Sequence, residues 1–587
     1  MFKSVLVTAL AGSLLWLGSA RASEILVDQT ASGDLPIVAG SGIGVINGSF
    51  TGEDVNAFLG AQTLYDLGYT GSRTRVANIE AGFAWSGHET LGQVNQMVIQ
   101  SGAAGEFDRH ATATTGLLAG RPTAPGNTYQ RGMAYDAETW SGSMATGWTG
   151  SAYSLSFQTN STVVARTYQD AIATGLSGVN GSATADVINN SYGLSGDTSG
   201  TSVFSMTIDA LVNQNPRTLV VFAAGNNGTT NSISGPAAGY NVLTVAALSH
   251  SSDYNAPASF SSYGPSDYQD PNGSTTSPAR ATVDIAAPGD WLGIAHYGGT
   301  TGGNSASLGG TGSSSANAYS LYGSGTSYAA PIVAGGAALL YDVAYDQFAS
   351  NGDARDARVM KAVLMNSADK TSGWDNGQIA HPNSNGGVQT YQSLDYKVGA
   401  GRMNLAAAYG QFTGGTTDVA GTAQGVLGSV EETGWDYGVV TENVSNQYNI
   451  SEQLRGGSTF TATLTWFRDR TIDAALTTVN DVSFDDLDLE LWTTDETGAL
   501  LLLIAESASR YNDAEHFSFA LPTTSYYALR VIWFGDIFDT IDDVNEETYG
   551  LAWAGVAIPE PATGVMLTLL LLATPRRKRR NLSEHAA

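Results

Sequence analysis

The chain contains no cysteine. No disulfide can staple it, so its stability has to come from packing or from bound metal. Positive charge is also scarce: 26 Lys and Arg stand against 54 Asp and Glu, a formal net charge of −28. Such a surface repels nucleic acid and anionic lipid, which excludes nucleic acid as an expected partner, while acidity alone names no activity. There is no apolar run that would span a bilayer comfortably. The two candidates lie at the ends, Val5 to Leu17 and Pro561 to Pro575. The second, as a helix, reaches roughly 22 Å against a hydrocarbon core of about 30 Å.

With 587 residues, 42% of them hydrophobic, the chain can build two or three cores. Residues 1–22 combine Lys3, an apolar run and Ala20-Arg21-Ala22, the pattern of a secretory signal cut by signal peptidase before Ser23. Residues 23–51 are Gly-rich and weakly patterned. From 52 to 411, short apolar runs alternate with helix-like segments, which predicts an α/β domain with a mostly parallel sheet. Strands are expected at Val76–Ile79, Ala185–Asn189, Leu219–Ala223, Val242–Ala246 and Val283–Ala286, and helices at His110–Ala119, Ser327–Tyr341 and Ala357–Ser367. Tyr297 to Ser320 is a Gly/Ser/Thr loop with too little apolar content to pack. Over 412–557 the pattern changes to strand-like runs, "STFTATLTWF", "DLDLELWT" and "SYYALRVIWF", and a separate all-β sandwich is expected. Residues 558–587 form a tail with an apolar run and a basic cluster, Arg576 to Arg580.

Four residues stand out for chemistry. In "GSGTSYAAPIVAGGAALLYDV" a Gly-rich approach ends at Ser327, where small residues open a helix; free N–H groups and the positive end of the helix dipole there suit a developing oxyanion. Taken alone, this is also what an ordinary helix cap looks like. His110 opens "HATATTGLLAG", and histidine titrates in the range a general base needs, although a lone histidine is as readily structural. Asn226 lies in "VVFAAGNNG". Glu80 interrupts the apolar strand "RVANIE", and a carboxylate entering a core needs a partner.

Together and in order, these blocks resemble the subtilisin-like serine peptidases, the subtilases. "GTSYAAPIVAG" is similar to that family's nucleophile motif, "HATATTGLLAG" to its histidine block and "VVFAAGNNG" to its oxyanion block, with "VANIEAG" where a strand ends in the triad aspartate. "ADVINNSYG", "ASFSSYGPSD", "VDIAAPG", "VMKAVLMNSADKT" and "VGAGRMNLAAA" resemble its scaffold, so the likeness covers about residues 60–410. It implies a subtilisin-like three-layer catalytic domain followed by a jelly-roll-like sandwich. It also implies Ser327 as nucleophile, His110 as base, Asn226 as oxyanion donor and polypeptide substrates. Ser191, Tyr192 and Gly193 with Ala223, Ala224 and Gly225 would flank the first substrate pocket. The small residues leave room for a large apolar side chain, which Tyr192 would partly fill.

The sequence departs from the family where Glu80 replaces aspartate, Ala81 the usual Thr or Ser, and Ala111 and Ala113 the usual Gly and second His. A Ser-His-Glu triad is the expectation, since a glutamate can also orient an imidazole. Asp108 is the nearest other carboxylate in sequence, and His88 resembles a scaffold position. The alternatives are a decayed scaffold acting as an envelope-binding protein and a structural envelope protein whose function lies in the sandwich. The chemistry requires no cofactor; a structural Ca²⁺ could be held by Asp485, Asp486 and Asp488 or by Asn512, Asp513 and Glu515. Pro559-Glu560-Pro561, with the apolar run and basic cluster after them, resemble a PEP-CTERM sorting tail. That implies only transient membrane association, cleavage by a membrane sorting peptidase, and a final place outside the cell or in its envelope.

Overall fold

The computed structural model describes residues 54–96, 105–124, 127–149, 152–154, 162–174, 183–193, 196–297, 319–415, 427–541 and 545–558. The expected signal segment, the segment 23–51, most of the Tyr297–Ser320 loop and the tail from 559 onward lie outside these residues.

One sheet has seven strands: β1 (Arg75–Glu80), β2 (Asn95–Gln96), β3 (Glu138–Ser143), β4 (Val187–Asn190), β5 (Leu219–Ala223), β6 (Leu243–Leu248) and β7 (Ile285–Pro288). They lie in the order β7-β6-β5-β4-β1-β3-β2, and every pairing is parallel. A parallel sheet is covered on both faces, which is why LVVFA and LTVAAL read as unbroken apolar runs and are buried throughout. All five expected strands form, with ends shifted by no more than two residues. The expectation missed β2 and β3. In β3, "ETWSGS" has no apolar run, yet all of it except Glu138 is buried.

Helices pack on the sheet: α1 (Arg109–Ala119), α2 (Val203–Gln214), α3 (Thr326–Gln347), α4 (Ala357–Asn366) and α5 (Leu405–Thr413). The central α3 is buried from Ala329 to Ala344. Small residues let it approach so closely: a Cβ on Gly335 would lie 2.5 Å from Met133 Cβ, and one on Gly336 2.7 Å from Met403 Sδ. Among the described residues α3 is also the one helix long and apolar enough to cross a membrane, but 89% of that apolar window is buried inside the protein.

A second group of elements is built of strands: β8 (Ile379–Ala380), β9 (Val388–Thr390), β10 (Leu427–Val430), β11 (Thr433–Thr441), β12 (Ser445–Ile450), β13 (Thr459–Thr465), β14 (Asp469–Ile472), β15 (Val479–Thr494), β16 (Leu500–Ser507), β17 (Ala514–Ala520), β18 (Tyr526–Asp539) and β19 (Glu546–Ala554). One sheet runs β8-β9-β16-β15-β18-β12-β10, with β14 on β15, and the other β11-β19-β13-β17. Alternate residues of each point into one shared core, Leu489, Leu491 and Val531 from the first sheet and Phe460, Leu464 and Trp553 from the second.

This all-β unit is less separate than the composition change at 411 implied. Strands β8 and β9 precede that point, yet β9 pairs in parallel with β16. Polar contacts cross the junction as well. Arg470 Nη1 meets Asp209 Oδ2 at 2.6 Å with both side chains fully buried, and Lys361 Nζ meets Asp513 Oδ2 at 2.9 Å. Asn241 and the Arg468 backbone exchange two hydrogen bonds. A Cβ on Gly550 of β19 would lie 2.4 Å from the carbonyl carbon of Arg358, so strand and helix α4 touch backbone to backbone.

Candidate active site

Consecutive β1, β3 and then β4 lie on opposite sides of β1, so the order of the parallel sheet reverses there. Ligands bind at the carboxyl ends of the strands beside such a reversal. Glu80 is the last residue of β1, Ser191–Gly193 follow β4, Ala224–Asn226 follow β5, and the N-terminus of α3 arrives at the same edge.

Glu80 has a partner. Its side chain is 2% exposed and Oε2 lies 3.2 Å from His110 Nδ1. Thr114 Oγ1, one turn along α1, is 3.4 Å from Oε1. Asp108 has a different task. It is the N-cap of α1, and its carboxylate accepts from the backbone N–H groups of His110 and Ala111 at 3.2 and 3.3 Å. It therefore fixes the start of the helix that carries the imidazole, and Glu80 meets the imidazole itself. Burial pulls the His110 pKa down, but the charge and hydrogen bond of Glu80 outweigh it, with a smaller contribution from Asp108, and the net shift is upward. Arg109 opposes that rise.

Ser327 is the second residue of α3, where helix geometry leaves its N–H without an intrahelical acceptor. Pro331, four residues on, has no N–H to give to the Ser327 carbonyl. Ser191 Oγ fills that gap, donating to Ser327 O at 2.8 Å. The Ser327 hydroxyl itself donates to Ser191 O at 3.1 Å, so its O–H bond must turn before the proton can pass to His110.

Asn226 is exposed at the surface of this edge. Its Oδ1 accepts from Thr326 N at 2.8 Å and from Thr326 Oγ1 at 3.0 Å. A backbone N–H can only donate, so the oxygen must face Thr326 and the carboxamide nitrogen must face the other way. That nitrogen lies beside Gly325, two residues ahead of Ser327, where a Cβ would be 3.6 Å from it. Thr326 Oγ1 also accepts from Gly225 N at 3.1 Å, tying the loop after β5 to the start of α3.

Of the residues expected to flank the first substrate pocket, all but Tyr192 are small. Ala223 and Ala224 are buried, and Gly225 has a φ of +104°, a left-handed conformation in which a side chain is strained. A Cβ on Gly193 would make only ordinary contacts, 3.8 Å from Gly235 O, so space remains opposite it. Tyr192 departs from expectation. Its ring turns into the core, edge-on to Phe222 at 5.7 Å, and its hydroxyl meets that of Tyr168 and the sulfur of Met144. The ring is satisfied on the inner side, where it is buried and its hydroxyl is paired.

Among the described residues no three His, Asp or Glu groups are placed to hold a metal ion. Asn512 Oδ1 accepts from Ala281 N, Asp513 pairs with Lys361 and Glu515 accepts from Ser507 and Ser509. Burial pushes the Asp485 carboxyl up to about 8, with Asp536 and Glu547 beside it. His88 is a buried scaffold residue with Nδ1 2.9 Å from Thr90 Oγ1. Sequence reasoning gave no role to Thr326, although it stands in the Ser327 motif, and missed Asn78, though an asparagine inside the strand "RVANIE" was a visible signal.

A family model described as the subtilase family matches residues 90–401, beginning just past Glu80. No curated protein matches the chain. Among solved structures, the self-cleaved protease domain of PatA is 22% identical, with 59% of this chain and 98% of that one covered at a TM-score of 0.39. The prenylagaramide maturation protease PagA is 21% identical, covering 60% and 96% at 0.39. A serine protease of Aeromonas sobria is 15% identical, covering 83% and 89% at 0.43.

Proposed function

Because the chain belongs to the subtilase family of serine peptidases, we propose that it is an endopeptidase working through a Ser-His-Glu variant of the triad. The observation that carries this reading is the contact between the buried Glu80 carboxylate and His110 Nδ1, 3.2 Å, at the strand edge that also presents Ser327 and the Asn226 amide. Glu80 accepts a hydrogen bond from His110 Nδ1–H and so leaves Nε2 as the base. Ser327 Oγ gives its proton to Nε2 as it attacks the peptide carbonyl. The oxyanion takes hydrogen bonds from Asn226 Nδ2 and from the Ser327 N–H at the start of α3. His110 then protonates the leaving amine, and water repeats the sequence on the acyl-enzyme. The pocket beside Gly193 carries no charge and suits a bulky apolar side chain. The all-β unit is assigned as a jelly-roll-like sandwich.

Ser327→Ala is expected to abolish casein hydrolysis and labelling by a fluorophosphonate while leaving the thermal melt nearly unchanged. Hydrolysis by the variant at the wild-type rate removes the peptidase reading. A decayed scaffold draws support from one feature, the donation of the Ser327 hydroxyl to Ser191 O; it requires that the intact wild type fail to label. We also assign residues 1–22 to export and the segment after Ile558 to a sorting tail removed near Pro559. The intact mass of the exported protein should then lack both, and full-length chain in the membrane fraction would instead indicate a simple anchor.

A further inference from the structure

Two positions before Glu80, β1 carries Asn78 with its side chain fully buried. Asparagine is disfavoured within strands, and a buried carboxamide is tolerated only when both ends are hydrogen-bonded. Side chains alternate along a strand, so Asn78 and Glu80 share a face, the one covered by α1. Asn78 Nδ2 reaches into that helix, 2.8 Å from Thr115 Oγ1, 3.0 Å from Thr114 Oγ1 and 3.2 Å from Ala111 O. Thr114 is the residue whose hydroxyl also lies beside Glu80 Oε1.

The other end of the amide faces the neighbouring strand. Asn78 pairs with Asn189 in the β1–β4 register, and Asn78 Oδ1 accepts from Asn189 Nδ2 at 2.7 Å. Asn189 Nδ2 also lies 3.1 Å from Ser191 Oγ, which donates to the Ser327 carbonyl that Pro331 leaves open. All of these side chains are buried. One amide on β1 is therefore linked to the helix of His110 directly and to the first turn of the Ser327 helix through two residues.

We propose that Asn78 is a positioning residue of the catalytic centre, a clamp that sets the spacing of β1, α1 and the start of α3. The proposal rests on the hydrolytic reading above. Its physical basis is the length of the acid. Glutamate has one more rotatable bond than aspartate, and its contact with His110 is already at the long end of the hydrogen-bond range. A slide of α1 by a few tenths of an ångström would break that contact. Asn78 holds α1 at three points one strand pleat away from Glu80, where such a slide is best resisted.

The test compares Asn78→Val with Asn78→Val/Asn189→Val. Valine suits a buried strand, and removing both amides leaves no unpaired partner, so the double variant should melt close to wild type. A clamp predicts that kcat on a peptide anilide falls about tenfold to a hundredfold with KM within about twofold. It also predicts that the NMR titration midpoint of His110 moves down towards an ordinary histidine as Glu80 loosens. A double variant with wild-type kcat and an unmoved His110 midpoint overturns the proposal. So does a loss of activity matched by an equal loss of folded protein. If the wild type itself hydrolyses nothing, the peptidase reading fails, and the His110 titration alone still decides the role of Asn78.

Discussion

Restoring aspartate at position 80 should damage this site. Glu80 Oε2 lies 3.2 Å from His110 Nδ1, and shortening the side chain by one carbon–carbon bond, about 1.5 Å, opens the contact to about 4.7 Å, beyond hydrogen-bond reach. The backbone cannot follow. β1 is paired on both sides, with β3 and β4, and the Glu80 carbonyl accepts from Met144 N at 3.0 Å. A hydrogen bond to a charged group contributes about 1.5–3 kcal/mol. At about 1.4 kcal/mol per decade, Glu80→Asp should lower kcat by roughly 10- to 100-fold. Glu80→Gln keeps the reach but offers the wrong partner for one tautomer, and should cost on the order of 10³–10⁴. The assay is initial rate on a peptide anilide, normalised by fluorophosphonate titration of competent sites. The pH profile adds a second reading. His110 is held above the ordinary histidine value, so the acid limb of kcat/KM should lie above about 6.5, and in Glu80→Gln it should drop. The same raised pKa means that the charged pair stabilises the fold fully below the unfolded histidine value and that this contribution fades as pH rises through the folded one. Equal or higher activity in Glu80→Asp, or an acid limb unmoved in Glu80→Gln, would refute the assignment of Glu80 as the orienting group.

Two further predictions concern the junction between the α/β and all-β units. Arg470→Met leaves the buried Asp209 charge without its cation, with only the Tyr240 and Asn241 backbone N–H groups donating to it, and should cost about 3–5 kcal/mol in urea denaturation, whereas Asp209→Asn/Arg470→Met removes the charge and should recover part of it; equal losses in both variants would show that the pair itself is stabilising. Burial pushes the Lys370 amine down to about 7, against an opposing effect of Asp369. Between about 7 and about 10.4 the unfolded chain then holds a proton that the folded chain does not, so folding stability from this group rises with pH across that window. Lys370→Met should remove the rise, seen as a wild-type advantage that grows from neutral to alkaline pH, and a difference independent of pH would contradict it.

Much of the catalytic layer was legible because burial on both faces writes itself as apolar runs. β5 lies where LVVFA placed it, and Ser327, His110 and Asn226 come to one edge as their motifs implied. β3 was invisible for the opposite reason: of its five buried positions only Trp140 is apolar, and Thr139, Ser141, Gly142 and Ser143 pack without raising hydropathy. Glu80 was expected over Asp108 because it alone stands where the resembled motif carries its acid, and the capping bonds of Asp108 give that carboxylate a separate task no motif disclosed. Tyr192 was read as lining a pocket because its neighbours in sequence do, but the direction of one ring depends on Phe222 and Tyr168, which no local pattern reveals. The engagement of Asn512, Asp513 and Glu515 by Ala281, Lys361 and Ser509 is likewise a matter of partners more than a hundred residues away for the first two, beyond the reach of a loop motif.

The backbone contact between β19 and α4 has a consequence for when this protein becomes what it is. Arg358 Nη1 donates to Thr548 O across 190 residues of chain, and contacts of such separation form late because the intervening loop must first be closed. A chain emerging from its N-terminus completes α4 long before the strand that covers it exists. Until that strand arrives, the helix keeps an uncovered flank beside the sheet that carries the catalytic groups. A stalled or nicked chain that lacks Gly550 is left with that flank open to solvent and to other chains.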